Sequence, residues 1–174
     1  AQTSPAESFK DPKTTFTTNI NAELTLLEAL RQREMLETKL FIISSSEVYG
    51  MVTPLDIPVD EETPMRPLSP YAVSKIAQDF LGLQYFLSYK LPIIRIRPFN
   101  HVGPGQSPKF VVSQFAKDIA EIEKKKKDPV MKVGNLEAKR DITDVRDIVS
   151  AYTLLIEKGV AGDVYNIGRG ESYK

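Results

Sequence analysis

The chain of 174 residues contains no cysteine and a single histidine, His101. Disulfides, thiol nucleophiles and zinc–cysteine sites are therefore excluded, and so is any multi-histidine metal centre. Basic and acidic residues balance at 23 each, so the total charge points neither to nucleic acid nor to an acidic membrane surface. No apolar run reaches the length of about 18 residues that a membrane-spanning helix needs. The opening AQTSPAESFK lacks the charged start and apolar centre of a secretory signal. Together with the missing cysteines, this makes the cytoplasm the expected location. The one low-complexity run is Lys124 to Lys127, which lysines closing a helix and facing water explain better than a nucleic-acid patch does.

What is present reads as alternating helices and strands. Leu24, Leu27 and Leu30 recur at helical spacing, with Glu23 and Glu28 on other faces, and predict a helix over Thr14 to Thr38. KLFIISSS follows, whose consecutive Phe41, Ile42 and Ile43 predict a strand buried on both faces. Pro54, Pro58, Pro64 and Pro67 make the stretch from Gly50 to Pro70 a long loop, a kind of segment that is often functional. Ser69 suits a helix N-cap and Pro70 the first helical position, so a helix should run to about Tyr89, ahead of Pro92. PIIRIRPFN reads as a second buried strand broken at Pro98, and GPGQSP as a turn. An amphipathic helix over Phe110 to Lys127, a short strand VMKVG, a helix over Val145 to Lys158 and a strand DVYNIG complete the pattern. This order predicts an α/β fold around a parallel sheet, with no internal repeat.

Tyr71 and Lys75, in SPYAVSK, are the chain's one Tyr-x-x-x-Lys pair and share a helix face. A free tyrosine has a pKa of about 10, too high for efficient proton exchange near neutrality. A cation held nearby would favour the phenolate and lower that value. Taken alone, the pair is better explained by a half-buried tyrosine next to a solvated lysine. SSSEVYG changes the balance, because it ends a buried strand, where doubly wound folds gather their functional groups. Its hydroxyls could hydrogen-bond a substrate oxygen, and Glu47 adds a carboxylate. A serine-rich turn with ordinary backbone bonds is the plainer account of the same stretch.

Six segments taken in order carry a family resemblance: TTNINAELTLLEAL, FIISSSEVYG, EETPMRPLSPYAVSK, IIRIRPFNHVGPGQ, RDITDVRDI and DVYNIG. Across essentially the whole chain they resemble the extended short-chain dehydrogenase/reductases that modify nucleotide sugars. Within that family, RPFNHVGPGQSPKFVVSQFAKDIAEIE and KVGNLEAKRDITDVRD are most similar to the GDP-mannose branch. The branch holds 4,6-dehydratases and 4-keto-6-deoxymannose reductases, and the GPGQ form of the turn favours the reductases.

The resemblance implies a Rossmann-like, doubly wound parallel sheet with part of a smaller nucleotide-sugar-binding subdomain. Residues 1–100 would supply the later part of the NAD(P)-binding domain. Residues 101–174 would supply substrate-binding elements interleaved with its last strand and helix. It implies NAD or NADP as cofactor and hydride transfer at C4 of a sugar nucleotide. Tyr71 would be the acid/base on the C4 oxygen, and Ser45 its hydrogen-bonding partner, with Ser46 the neighbour in register for substrate. Lys75 would lower the pKa of Tyr71 and hold the nicotinamide ribose hydroxyls, and Pro98 would lie against the cofactor. Glu47 occupies the position that removes the C5 proton in dehydratases. Asn100 and Arg140 would contact the substrate diphosphate, a role that suits a guanidinium. A surface salt bridge with Asp141 or Asp144 is the plainer account of Arg140. His101 is expected to be structural, and a serine hydrolase using Ser45 and His101 finds no G-x-S-x-G elbow.

Ala22, Glu23 and Thr25 stand where the family more usually has Gly, Thr and Asn, a helix-compatible change expected to have little consequence. A homodimer through the Tyr71 helix and the helix before FIISSS is a further family expectation. The strand, glycine-rich turn and helix that open a dinucleotide fold have no counterpart here, since GPGQSP has Pro108 and GRGESY has Tyr173 where the third glycine belongs. The chain thus resembles the middle and later part of a longer enzyme. A catalytically idle fragment or scaffold module is the non-enzymatic alternative.

Overall fold

The computed structural model of the chain describes residues 1–174. Two short helices open it. Ser4 caps α1 (Pro5–Lys10) by accepting the Glu7 N–H, and Asp11 caps α2 (Pro12–Phe16) by accepting that of Thr14. A π-helical turn at Thr17–Asn21 leads into α3 (Ala22–Gln32). The predicted helix therefore ends near Gln32 and not at Thr38. Glu34 takes a left-handed φ of 55° and the Met35 N–H closes back on the Leu30 carbonyl, a C-terminal capping turn.

β1 (Leu40–Ile43), α4 (Pro70–Tyr89) and β2 (Ile93–Pro98) follow. α4 has the predicted limits. Ser69 accepts the Ala72 N–H at 3.0 Å, Pro70 occupies the first turn, and Lys90 ends the helix in the left-handed region. After β3 (Asn100–Val102) come α5 (Val111–Glu123), β4 (Arg140–Asp144), α6 (Val145–Lys158), β5 (Val164–Ile167) and β6 (Ser172–Tyr173). The strand predicted at VMKVG is absent. Val130 and Val133 are exposed there, and no neighbouring strand satisfies the backbone.

The chain divides into two units, residues 1–99 with 151–167, and residues 100–150 with 168–174. The first holds a parallel sheet in the order β1-β2-β5. All six residues of β2, the central strand, are buried. β1 is an outer strand with Ile43 36% exposed, so the expectation of burial on both faces fails at its end. Because side chains alternate along a strand, helices cover both faces. Ile42 and Ile93 pack toward Gly82 of α4, while Phe41 meets the Tyr152 ring of α6 edge-on. A Cβ at Gly82 would stand 2.8 Å from Ile42 Cγ1, which is why the helix can approach the sheet so closely there. Leu27, Leu30, Ile42, Tyr85, Leu91 and Ile93 form the core between α3, α4 and the sheet.

The same alternation sends Arg95 and Arg97 toward α4. Asp79, fully buried, receives Arg95 Nη1 at 2.9 Å and Arg97 Nε at 2.8 Å. Arg97 also donates to the Glu61 carbonyl and the Tyr49 hydroxyl, and Tyr49 donates in turn to Asn166 of β5. This buried network pins the long Gly50–Pro70 loop to the sheet. In the second unit β3 pairs parallel with β4, and β4 antiparallel with β6.

Candidate active site

Ser44 and Ser45 continue directly from β1 and are both buried. Ser45 is extended, and its hydroxyl accepts the Glu47 N–H at 3.2 Å, starting the one-turn 3-10 helix Ser46–Val48. The Ser44 hydroxyl donates to the Lys75 carbonyl at 3.2 Å, which ties the end of β1 to the second turn of α4. With Ser69 fixing where that helix starts, Tyr71 and Lys75 are brought to the C-terminal end of β1. There they are only 8% and 5% exposed.

The structure brings four of the predicted residues together. The Ser45 hydroxyl lies beside the Tyr71 phenol, and Glu47 is close enough for its charge to act on that group. The Lys75 ammonium lies 5.9 Å from the Tyr71 ring centroid, donating to the Ile43 carbonyl and to Gln78 Oε1, each at 2.8 Å. Burial pushes the Tyr71 pKa above its ordinary value; the Ser45 hydroxyl opposes this and the Glu47 charge adds to it. The expected depression by Lys75 is therefore not seen, because the ammonium is directed to Ile43 and Gln78. Burial lowers the Lys75 pKa in its turn, and the charge of Glu23 partly offsets this.

Ser46 and Glu47 are half-buried on the 3-10 turn, and Pro98 is buried at the end of β2, opposite Ile167. Asn100 and Arg140 belong to the second unit. Asn100 pairs with Ile142, two residues along β4 from Arg140, so the two polar side chains share one face of that sheet. Arg140 is exposed and donates to the Lys139 carbonyl. The carboxylates that might have claimed it are engaged elsewhere. Asp144 pairs with Arg146, and Asp141 accepts the Arg169 and Gly170 N–H groups. His101 is exposed on β3.

Three features escaped sequence reading. Gln78 is the acceptor for Lys75. Glu23, expected to be of little consequence, is buried and accepts from Gln78 Nε2 at 2.6 Å. The Asp79–Arg95–Arg97 cluster lay hidden inside a stretch that reads as an apolar strand. A signal was available for the last of these, since two arginines at i and i+2 in a central strand must face one side and find a buried carboxylate.

The residues present fit one end of a nicotinamide dinucleotide. Lysine has three N–H donors, and two are engaged within the chain, leaving one for a ligand hydroxyl. Ser45 and Pro98 lie at the C-terminal ends of adjacent parallel strands, the edge where such sheets bind ligands.

Known proteins resemble the chain along its whole length. The chain is 40% identical over 173 residues to a GDP-6-deoxy-D-mannose reductase of Pseudomonas aeruginosa, covering 99% of this chain and 57% of the reductase. It is 32% identical over 174 residues to a GDP-mannose 4,6-dehydratase of Vibrio cholerae, covering 46% of that protein. A solved structure of RMD from Pseudomonas aeruginosa, complexed with NADPH, superposes with a TM-score of 0.95 at 39% identity, covering 100% of this chain and 59% of that one. The chain thus spans about half the length of the relatives it matches. The sequence model of the GDP-mannose 4,6 dehydratase family matches residues 1–174, and the chain belongs to that family.

Proposed function

We propose that the protein containing this chain is an NAD(P)-dependent nucleotide-sugar oxidoreductase that reduces the C4 ketone of a GDP-4-keto-6-deoxyhexose. The observation that carries this reading is the cluster at the end of β1, in which Ser45 meets a buried Tyr71 phenol with the Lys75 ammonium alongside. The identity to a GDP-6-deoxy-D-mannose reductase along the whole chain supports it. A bound reduced nicotinamide would supply the hydride. Burial keeps the Tyr71 phenol protonated through neutral pH, the form that donates a proton to a C4 oxygen as it gains negative charge. The Ser45 hydroxyl orients the same oxygen, and the remaining Lys75 donor holds a ribose hydroxyl. Pro98 packs against the cofactor. Ser46, Asn100 and Arg140 bind the substrate, the last two at its diphosphate.

Tyr71→Phe in the intact protein should cut reduction of GDP-4-keto-6-deoxymannose by NADPH by about 10²- to 10⁴-fold, with folding unchanged. Near-normal turnover would remove Tyr71 from the mechanism and the reading with it.

A second reading, GDP-mannose 4,6-dehydration, is favoured by one observation: Glu47 lies within electrostatic reach of Tyr71, where a base for the C5 proton would be needed. Glu47→Gln would abolish dehydration but only dent ketone reduction. Product analysis separates the two, since dehydration recycles its cofactor whereas reduction consumes it. For assembly, α4 carries exposed Val73, Phe80 and Leu87 seven residues apart, and α3 carries exposed Leu24 and Leu26, apolar surface that supports a homodimer. No helix is long and apolar enough to cross a membrane, and a cytoplasmic location is part of the same proposal.

A further inference from the structure

Lys75 is held from behind by a chain of buried polar groups to which the family resemblance assigned no role. Its Nζ donates to Gln78 Oε1 at 2.8 Å. The Gln78 amide faces this way because its nitrogen is claimed on the other side, by Glu23 Oε2 at 2.6 Å and by the Asn19 carbonyl at 3.0 Å. Gln78 and Glu23 are each 8% exposed, and Lys75 is 5% exposed. The second Glu23 oxygen, Oε1, is buried with no hydrogen-bond partner. A carboxyl group placed so expensively on a helix, one amide away from the ammonium beside Tyr71, has a use if it governs that ammonium.

We propose that Glu23, acting through Gln78, is a positioning residue for Lys75, fixing the amide so that its oxygen holds the ammonium and adjusting the charge that the ammonium feels. The proposal rests on the functional reading above, in which Lys75 binds the cofactor. The charged groups facing Glu23 come from α4. They are Lys75, which favours the carboxylate, and Asp79, which opposes it and is itself held by Arg95 and Arg97 of β2. Burial is the largest influence and raises the Glu23 pKa to about 8. Oε2 accepts from Gln78 whether or not the other oxygen carries a proton, so the amide stays oriented in both states. What changes as Glu23 ionises is the negative charge behind Lys75, which stabilises the ammonium.

The test uses the intact protein labelled with [13Cε]lysine, the Lys75 resonance being assigned by its loss in Lys75→Met. In the wild type that resonance should show an inflection near pH 8 as Glu23 ionises. In Glu23→Gln the inflection should vanish and the Lys75 titration should move to lower pH. At pH 9, above the Glu23 pKa, the NADPH dissociation constant should rise several-fold with no fall in the thermal midpoint. Gln78→Leu, which removes the bridge but leaves the carboxyl, should also perturb the Lys75 resonance and weaken NADPH binding. A Lys75 titration identical in Glu23→Gln and wild type overturns the proposal. So does a shifted titration with unchanged affinity for NADPH in both variants. A wild-type protein that binds neither NADPH nor NADH refutes the functional reading instead, and the Lys75 titration then decides the coupling to Glu23 by itself.

Discussion

Replacing Asp79 by asparagine should be among the most damaging single-atom changes available in this chain. The carboxylate is fully buried between two guanidinium groups that are themselves only 8% and 3% exposed. Asparagine keeps the shape and one acceptor oxygen but leaves two cations sealed against α4 without a counter-charge. Breaking a buried ion pair from one side costs about 3–5 kcal/mol, most of it from the charge left behind. Domain stabilities of about 5–15 kcal/mol leave little room for such a loss. Urea denaturation of the intact protein, followed by circular dichroism, should show the midpoint falling by about 1 M or more, given slopes of about 1–3 kcal/mol per M. Replacing all three charges, as Asp79→Leu with Arg95→Met and Arg97→Met, should recover part of the loss because no buried charge remains. Recovery would be incomplete, since the Glu61 and Gly162 carbonyls and the Tyr49 hydroxyl lose their arginine donors. A loss below about 1 kcal/mol for Asp79→Asn would refute the reasoning, because that is the range of solvent-exposed pairs.

Other changes test separate features. Glu23 favours its protonated form when folded, so its contribution to stability is full below the ordinary carboxyl value of 4.5 and is lost as pH rises through about 8. Glu23→Gln should therefore gain on the wild type between those limits, by at most about 5 kcal/mol, in denaturation midpoints at pH 4 and pH 9; an unchanged difference between the two would contradict this. Gly82→Ala improves helix propensity by about 1 kcal/mol but drives a methyl to 2.8 Å from Ile42 Cγ1, an overpacking cost of about 1–3 kcal/mol. The net should be a loss of about 1 kcal/mol in thermal unfolding, and a gain would mean that α4 can move off the sheet. Ser69→Ala removes the cap of the helix that carries Tyr71 and should cost about 1 kcal/mol in the same assay, with no loss if solvent replaces the cap freely.

The parts of the fold that sequence made legible are those with local causes. The limits of α4 follow from Ser69, Pro70 and Pro92, and those of α6 and β5 from strong periodicity and a short apolar run. RDITD in β4 offers no apolar run and NHV in β3 is too short to show one, so both strands exist through pairing, β3 with β4 and β4 also with β6. VMKVG, by contrast, has three apolar residues in five but no partner strand, and stays irregular. At the site, Ser45, Tyr71 and Lys75 were readable as an ordered pattern. The direction of the Tyr71 shift was not, because it depends on where the lysine points and on how deeply the ring is buried. Glu23 illustrates the same limit. On a helical wheel it is merely off the leucine stripe, and only the packing of α3 on α4 makes it a buried neighbour of Lys75.

The strand order β1-β2-β5 has a consequence for how the molecule is made. β2 is the middle strand, yet the neighbour that closes its second edge begins at Val164, after the whole of residues 100–150. At synthesis rates of about 5–20 residues per second, roughly 3 to 14 s separate the emergence of Pro98 from that of Ile167. Throughout that interval a strand containing three isoleucines offers an unpaired edge to whatever it meets, the condition under which unfinished chains aggregate. The two buried arginines on that strand temper the risk. Until Asp79 packs against them they are exposed cations on one face of the strand, and like charges there discourage two unfinished chains from pairing with each other.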